Sequence, residues 1–331
     1  MAWFGAVQAQ DLPGGQWAIG QRLASATLAD VEEAAAARRI VRTWPMRSTL
    51  HYVAAADARW MLRLLTPRMV ARMGPRLRQL EVDAAALVKS RRLLEKALRG
   101  GRSLTRPEAY ALLDRGGVPT ADQRGLHIFG VLAMQGHVCF GARSGKQPTF
   151  VLLEEWLPPV DDPPRDEALG ELARRYFQSH APATLADFTW WTGLKVAEAR
   201  RAVEVAGSAV AAPGKGGGAR PRTPHAALLP PWDEYLVAYR DRGEAMGHLG
   251  QRGSPAALLI GSPLLLVDGR VRGAWRRTLA PGAVRVALEL YGGPLPAAER
   301  RAVERAAARY GRFLGLDAEV RTSPSASRRS P

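Results

Sequence analysis

Residues 105–153, TRPEAYALLDRGGVPTADQRGLHIFGVLAMQGHVCFGARSGKQPTFVLL, carry the reading that decides the fold. Thr105-Arg106-Pro107-Glu108 is a capping box with proline at an early helical position, and it opens a helix that Gly116-Gly117 closes. A second helix is expected over residues 120–135. Two strands follow, over 137–142 and 147–153, around a turn at Arg143-Ser144-Gly145-Lys146. Helix, helix, hairpin is the order of a winged helix.

The same order recurs on both sides. Upstream, Trp3-Phe4-Gly5-Ala6-Val7-Gln8 reads as the end of a helix whose start is missing, stopped by Pro13-Gly14-Gly15, so the first unit is expected to be truncated at its N-terminus. Thr27 and Asp30 cap a helix over 28–39, and residues 40–44 and 47–53 alternate as two strands around Pro45. Residues 54–80, broken at Pro67, and 84–99 read as connecting helices. Downstream, helices over 166–179, 185–191 and 195–206 and a strand over 208–212 lead into a basic, glycine-rich loop over 213–224 suited to be a wing. From Leu228 the pattern turns to strands (256–267, 270–277 and 283–290), with Asp268-Gly269 as a hairpin turn, then a helix over 297–314.

The fold class expected is therefore α+β: tandem winged-helix units, each a helix-turn-helix with a β-hairpin wing, and a C-terminal β-rich domain. The divisions are a first winged helix at 1–55, connecting helices at 56–104, a second winged helix at 105–157 and a third at 165–226. A β-rich domain with a helix follows at 227–321, and a disordered tail at 322–331.

Composition narrows the function classes. The 331 residues are 47% hydrophobic, enough to bury one large core or several small ones. Lys and Arg total 47 against 31 Asp and Glu, a formal net charge of +16 that suits a polyanionic partner. A codon preference for Arg explains Arg over Lys, but not basic over acidic. No apolar run approaches a membrane span, and no signal-peptide layout opens the chain, so a cytoplasmic protein without membrane contact is expected. Cys139, alone in the sequence, sits in an apolar run and reads as a buried, inert thiol. The six His and one Cys have no metal-ligand spacing, and no phosphate-cradling glycine loop precedes a helix; no metal and no cofactor are expected.

Gln8 and Gln10, two residues apart, share a side only if the backbone there is extended or turning. Two carboxamides converging on a water can orient it as a nucleophile. Neither can take its proton, because an amide has no useful basicity. The pair suits a reaction whose leaving group is already activated, although a bare Gln-x-Gln is better accounted for by surface or capping amides.

The surroundings carry more. Gly5-Ala6-Val7-Gln8-Ala9-Gln10-Asp11, Trp17-Ala18-Ile19-Gly20-Gln21-Arg22, the strand residues 42–51, the hairpin 139–153 and Leu229-Pro230-Pro231-Trp232-Asp233-Glu234-Tyr235-Leu236 resemble the AlkZ/YcaQ-like winged-helix DNA glycosylases, from Trp3 to about Arg321. The resemblance implies tandem winged helices and a β-rich domain around a basic concave surface, with catalysis by a Gln-x-Gln or Gln-x-Asp pair. Gln8 and Gln10 match the Gln-x-Gln form, which implies the branch associated with bulky or crosslinked N7-alkylguanine. Relatives carry a further helical stretch before the motif. The expected activity is a monofunctional DNA glycosylase acting on N7-alkylated purines in double-stranded DNA, as a monomer at the nucleoid.

An N7-alkylated purine is cationic, so its glycosidic bond breaks toward an oxocarbenium-like sugar without strong acid help. The enzyme must chiefly place water and stabilise positive charge. The DNA contacts expected are Arg47, Thr49 and His51 on the first hairpin, Arg143 and Lys146 on the second, and Lys215, Arg220 and Arg222 in the basic loop. His51 equally fits a core histidine satisfied by backbone. Asp11 reads as a cap or turn residue, Asp233 and Glu234 as structural, and Trp17, Trp190 and Trp191 as core. The competing reading is a non-catalytic winged-helix DNA-binding protein or transcription regulator, in which a basic surface needs no chemistry. Against it stand the Gln-x-Gln context and the lack of a dimerising heptad coil.

Overall fold

The computed structural model describes residues 1–210, 223–247 and 260–323. The chain is α+β. Its elements in chain order are β1 (Ala6–Gln8), α1 (Leu12–Gly20), α2 (Leu28–Ala36), β2 (Ile40–Met46), β3 (Thr49–Ala54), α3 (Ala55–Leu65), α4 (Pro67–Arg72), α5 (Gly74–Gln79) and α6 (Ala84–Leu98). There follow β4 (Leu104–Thr105), α7 (Arg106–Arg115), α8 (Arg124–Met134), β5 (Val138–Phe140), β6 (Thr149–Leu152), α9 (Leu153–Trp156), α10 (Arg165–Ser179), α11 (Leu185–Thr192) and α12 (Val196–Ala206). The remainder holds β7 (Ala226–Leu229), α13 (Glu234–Val237), α14 (Gly243–Met246), β8 (Leu264–Val267), β9 (Arg270–Ala280), β10 (Ala283–Leu290), α15 (Ala297–Leu314) and β11 (Asp317–Ser323). Two compact units form: one from residues 1–8 and 32 onward through α12, the other from residues 9–31 and the chain from β7 to β11.

In the first unit, the stretch 105–153 folds as its capping signals require. Glu108 accepts from the Thr105 N–H at 2.8 Å, closing the box that starts α7, and Gly117 at φ +73° lets the chain turn after it. Residues 120–123 are not helical as expected. Thr120 binds back to Asp114 at 2.8 Å, and Asp122 and Gln123 take positive φ, so α8 starts at Arg124. The hairpin β5–β6 gains β4 as a third strand, in the order β4-β6-β5. Its inner side stacks Phe129 on Phe150 at 4.2 Å and Phe140 on Phe150 at 4.9 Å. Trp44 stacks on Phe140 at 5.3 Å and ties the first hairpin to this core. Cys139, on the face of β5 opposite to Phe140, is fully buried, its thiol pKa pushed up by burial.

The first sheet has the order β1-β3-β2. Here the sequence expectation needs correcting, because residues 3–8 do not end a helix. Ala6, Val7 and Gln8 pair with Val53, Tyr52 and His51, and that pairing satisfies a backbone the local sequence leaves undecided. Pro13-Gly14-Gly15 does not stop a helix either: Pro13 stands in the first turn of α1, where its missing N–H costs nothing, and the Asp11 carboxylate accepts from Gly14 N at 2.7 Å. Asp11 is the cap anticipated for it. Below β1, Gly5 at φ +75° faces Trp191, whose ring stands 3.2 Å from where a Cβ would be. Trp191 is buried against Tyr176 and His180, whereas Trp190 is 45% exposed and is not core. After α12 the described residues 207–209 form a 3-10 turn rather than the expected strand; residues 211–222, with most of the basic loop, lie outside the described residues.

The second unit is a five-stranded sheet, β11-β10-β9-β8-β7, with α15 as the crossover between the parallel strands β10 and β11. Asp268 at φ +47° and Gly269 at φ +77° make the anticipated two-residue turn between β8 and β9. The helix 297–314 is found as expected, and β11 carries strand structure through Thr322 into residues assigned to a disordered tail. Trp17 of α1 is buried beside Tyr310 and donates its indole N–H to Leu228 O at 2.7 Å, which fixes α1 in this unit.

Candidate active site

Sheet register gathers the polar residues of the first sheet. Gln8 of β1 lies opposite His51 of β3, and His51 lies opposite Thr43 of β2. Paired residues in adjacent strands point to the same face, so Gln8, His51 and Thr43 form one row across three strands. Gln8 is 8% exposed, His51 and Thr43 not at all. In the next row of that face stand Ala6, Val53 and Val41, all buried and apolar.

Arg47 closes one end of the polar row. It occupies the two-residue turn between β2 and β3 with φ +51°, beside Ser48 at +56°. The expectation that Arg47, Thr49 and His51 alternate along one strand is corrected: Arg47 precedes β3, and the left-handed turn aims its side chain back over the sheet. Its Nη2 stands 3.4 Å from Gln8 Oε1 and 3.4 Å from His51 Nε2. On the other side of the ring, His51 Nδ1 lies 2.9 Å from Thr49 O. A carbonyl only accepts and a guanidinium only donates, so the imidazole is the Nδ1–H tautomer with Nε2 accepting from Arg47. The same rule assigns the oxygen end of the Gln8 carboxamide to Arg47.

Electrostatics agree with that assignment. Burial, then the Arg47 cation, lower the His51 pKa to about 3, against a smaller raising effect of the Thr49 carbonyl. The ring is neutral at physiological pH. His51 is fully buried and its Nδ1 is bonded to a backbone carbonyl, the arrangement of a core histidine. Thr49 is half-buried, with Oγ1 3.5 Å from Met46 O.

The other expected residues lie outside this row. Gln10 is exposed at the bend between β1 and α1, in the segment assigned to the second unit. Arg143, in the β5–β6 turn, pairs with Glu32 at 2.7 Å and donates to Lys146 O at 3.2 Å; Lys146 is exposed. Lys215, Arg220 and Arg222 lie outside the described residues. Thr43 is the residue missed by the sequence reading. Its hydroxyl is buried and meets no hydrogen-bond partner among the described residues. Among those residues, too, no three of His, Cys, Asp and Glu are grouped as metal ligands, and no helix is long and apolar enough to cross a membrane.

The family model of the AlkZ-like DNA glycosylases matches residues 1–313. The chain belongs to the AlkZ-like DNA glycosylase family. This glycosylase is thus a hydrolase of N-glycosyl bonds that binds DNA and serves its repair. The glycosylase is also similar in structure to the DNA glycosylase AlkZ of Streptomyces sahachiroi, with 22% sequence identity and a TM-score of 0.65, over 97% of this chain and 92% of that one. At that identity the likeness speaks for the fold. No curated protein matches the glycosylase in sequence.

Proposed function

We propose that this glycosylase releases N7-alkylated purines, bulky or crosslinked ones included, from double-stranded DNA, with Gln8 and Gln10 orienting the attacking water. The observation that carries the reading is the Gln8 carboxamide held in a buried polar row whose histidine is neutral and already bonded at both ring nitrogens. Such a row has hydrogen-bond acceptors but no proton acceptor of useful basicity, which matches a substrate needing none. The glycosidic electron pair goes to the departing purine and neutralises its N7 cation. Water bonds to C1′ of the sugar, and its proton leaves to solvent. Amide oxygens near C1′ stabilise the oxocarbenium character of the transition state.

Binding in this reading comes from phosphate contacts by Arg47 and Thr49 on the first hairpin, Arg143 and Lys146 on the second, and Lys215, Arg220 and Arg222 in the basic loop. The helix-helix-hairpin order at α7, α8 and β5–β6 supports a winged helix at 105–157, and we extend that reading to units at 1–55 and 165–226 with connecting helices at 56–104 and a β-rich domain at 227–321. The protein would act as a monomer on cytoplasmic, nucleoid DNA.

An oligonucleotide with a single N7-methylguanine tests the reading. The protein should leave an abasic site there, and Gln8→Ala and Gln10→Ala together should abolish release with DNA affinity almost unchanged, because affinity comes from phosphate. Parallel loss of affinity and activity would remove the catalytic role from the pair.

A further inference from the structure

We propose that Arg47, itself anchored by His51, is a positioning residue that fixes which end of the Gln8 carboxamide faces the hairpin and which faces the substrate. The inference rests on the reading of Gln8 as a water-orienting residue. A carboxamide has two ends of nearly equal size and opposite chemistry, an acceptor oxygen and a donor NH2. Turned the wrong way, Gln8 would present N–H dipoles to a sugar gaining positive charge. Arg47 disfavours that rotamer, since its guanidinium can only donate and would meet the NH2 end as donor against donor.

Arg47 needs an anchor of its own, because a long side chain loses much rotamer freedom when it is held in one place. His51 supplies it. Its Nδ1–H is committed to Thr49 O, so Nε2 is left as an acceptor aimed at the same Nη2 that serves Gln8. The order of contacts is Thr49 carbonyl, His51 ring, Arg47 guanidinium, Gln8 carboxamide, all on the strands and turn of one hairpin and the β1 strand beside it. The two separations, 3.4 Å each, exceed the usual 2.9–3.0 Å or so. His51 is fully buried and bonded to Arg47, so its proposed effect on base release passes through protein groups, Arg47 first among them.

The test measures single-turnover release from an N7-methylguanine duplex at saturating protein, with affinity from fluorescence anisotropy and folding from thermal melting. His51→Leu should slow release about tenfold, less than the ~10²-fold or more that loss of a directly acting polar group costs, with affinity unchanged. His51→Gln, whose amide oxygen can accept from Arg47, should recover most of the rate. Arg47→Met should slow release at saturation, and Arg47→Met with His51→Leu should be no slower than Arg47→Met alone, since both act through one contact. If His51→Leu does not fold, His51→Gln and Arg47→Met still decide: a full rate in Arg47→Met, or a rate in folded His51→Gln as low as in Arg47→Met, overturns the proposal. Multiplying effects in the double variant also overturn it. Should Gln8→Ala retain activity, the underlying reading of Gln8 fails. Should Gln8→Ala be inactive while Arg47→Met and His51→Leu keep the wild-type rate, the positioning role alone fails.

Discussion

Arg22 and Asp233 meet in a bidentate ion pair in the second unit, Nη2 to Oδ1 at 2.6 Å and Nη1 to Oδ2 at 2.9 Å. The Asp233 carboxylate is 1% exposed and also accepts from Gln21 Nε2 and from the Tyr235 N–H that starts α13, both at 2.9 Å. Burial works against the Arg22 charge, but Asp233 outweighs it and raises the guanidinium pKa. Two segments distant in sequence are joined here, the end of α1 and the turn before α13. Asp233→Ala leaves Arg22 mostly buried without its counter-charge and uncaps α13, so a loss of about 3–5 kcal/mol is expected. Urea unfolding of the two proteins checks it; a change below about 1 kcal/mol would place the pair with ordinary surface ion pairs.

Thr43 offers the opposite case. A buried hydroxyl without a partner costs about 1–3 kcal/mol, and Thr43→Val replaces it by a methyl of the same shape. The variant should melt higher than the wild type and release base at the wild-type rate. A slower release at unchanged stability would give the hydroxyl a place among the groups that meet substrate.

His51 makes stability depend on pH in a defined direction. Its pKa is about 3 in the folded protein and ~6.5 in the unfolded chain, so between those values the unfolded state binds a proton that the folded state does not. Stability from this group is therefore complete above pH ~6.5 and falls as the pH drops toward 3, by at most ~1.4 kcal/mol per pH unit. Carboxylates titrate in the same window, so the comparison is between wild type and His51→Leu. The variant should show the shallower loss of stability from pH 6 to 4. Equal slopes would mean that the ring is protonated in both states.

How much of this was legible in the sequence follows from what each signal consists of. Local chemistry was readable: the Thr105 and Glu108 capping box, the Asp268-Gly269 turn, the Asp11 cap and the helix over 297–314 all form from residues a few positions apart. Pro13-Gly14-Gly15 was ambiguous because proline and glycine punctuate both ends of helices, and only the Asp11 cap decides which end this is. The strand β1 was not readable, since three residues become a strand only by pairing with β3. Gln8 was picked out by its spacing from Gln10, yet its neighbours were not: the row with His51 and Thr43 depends on strand register, and the approach of Arg47 on the handedness of its turn. The exposure of Trp190 likewise depends on which side of α11 faces the core.

The last expectation concerns the kind of glycosylase. A bifunctional enzyme attacks the sugar with an amine and then breaks the strand, which needs an amine beside C1′ that is desolvated or otherwise lowered in pKa enough to be a nucleophile. The lysines of the sequence stand at positions 89, 96, 146, 195 and 215. Lys89 and Lys96 lie on α6, Lys146 in the β5–β6 turn and Lys195 at the start of α12; all four are exposed, and Lys215 falls in the glycine-rich loop. None belongs to the row of Gln8, His51 and Thr43, where the approaching cation is Arg47, whose guanidinium stays protonated and is no nucleophile. The Met1 amine is the other candidate, its pKa lowered chiefly by burial. In the proposed reading water is the attacking group, and the strand should remain intact after base release, breaking only when alkali is added. Borohydride present during turnover should trap no covalent adduct between protein and DNA, and a chelator should leave the rate unchanged. A trapped adduct, mapped by mass spectrometry to one amine and lost when that residue is replaced, would show that an amine rather than a water oriented by Gln8 and Gln10 attacks the sugar.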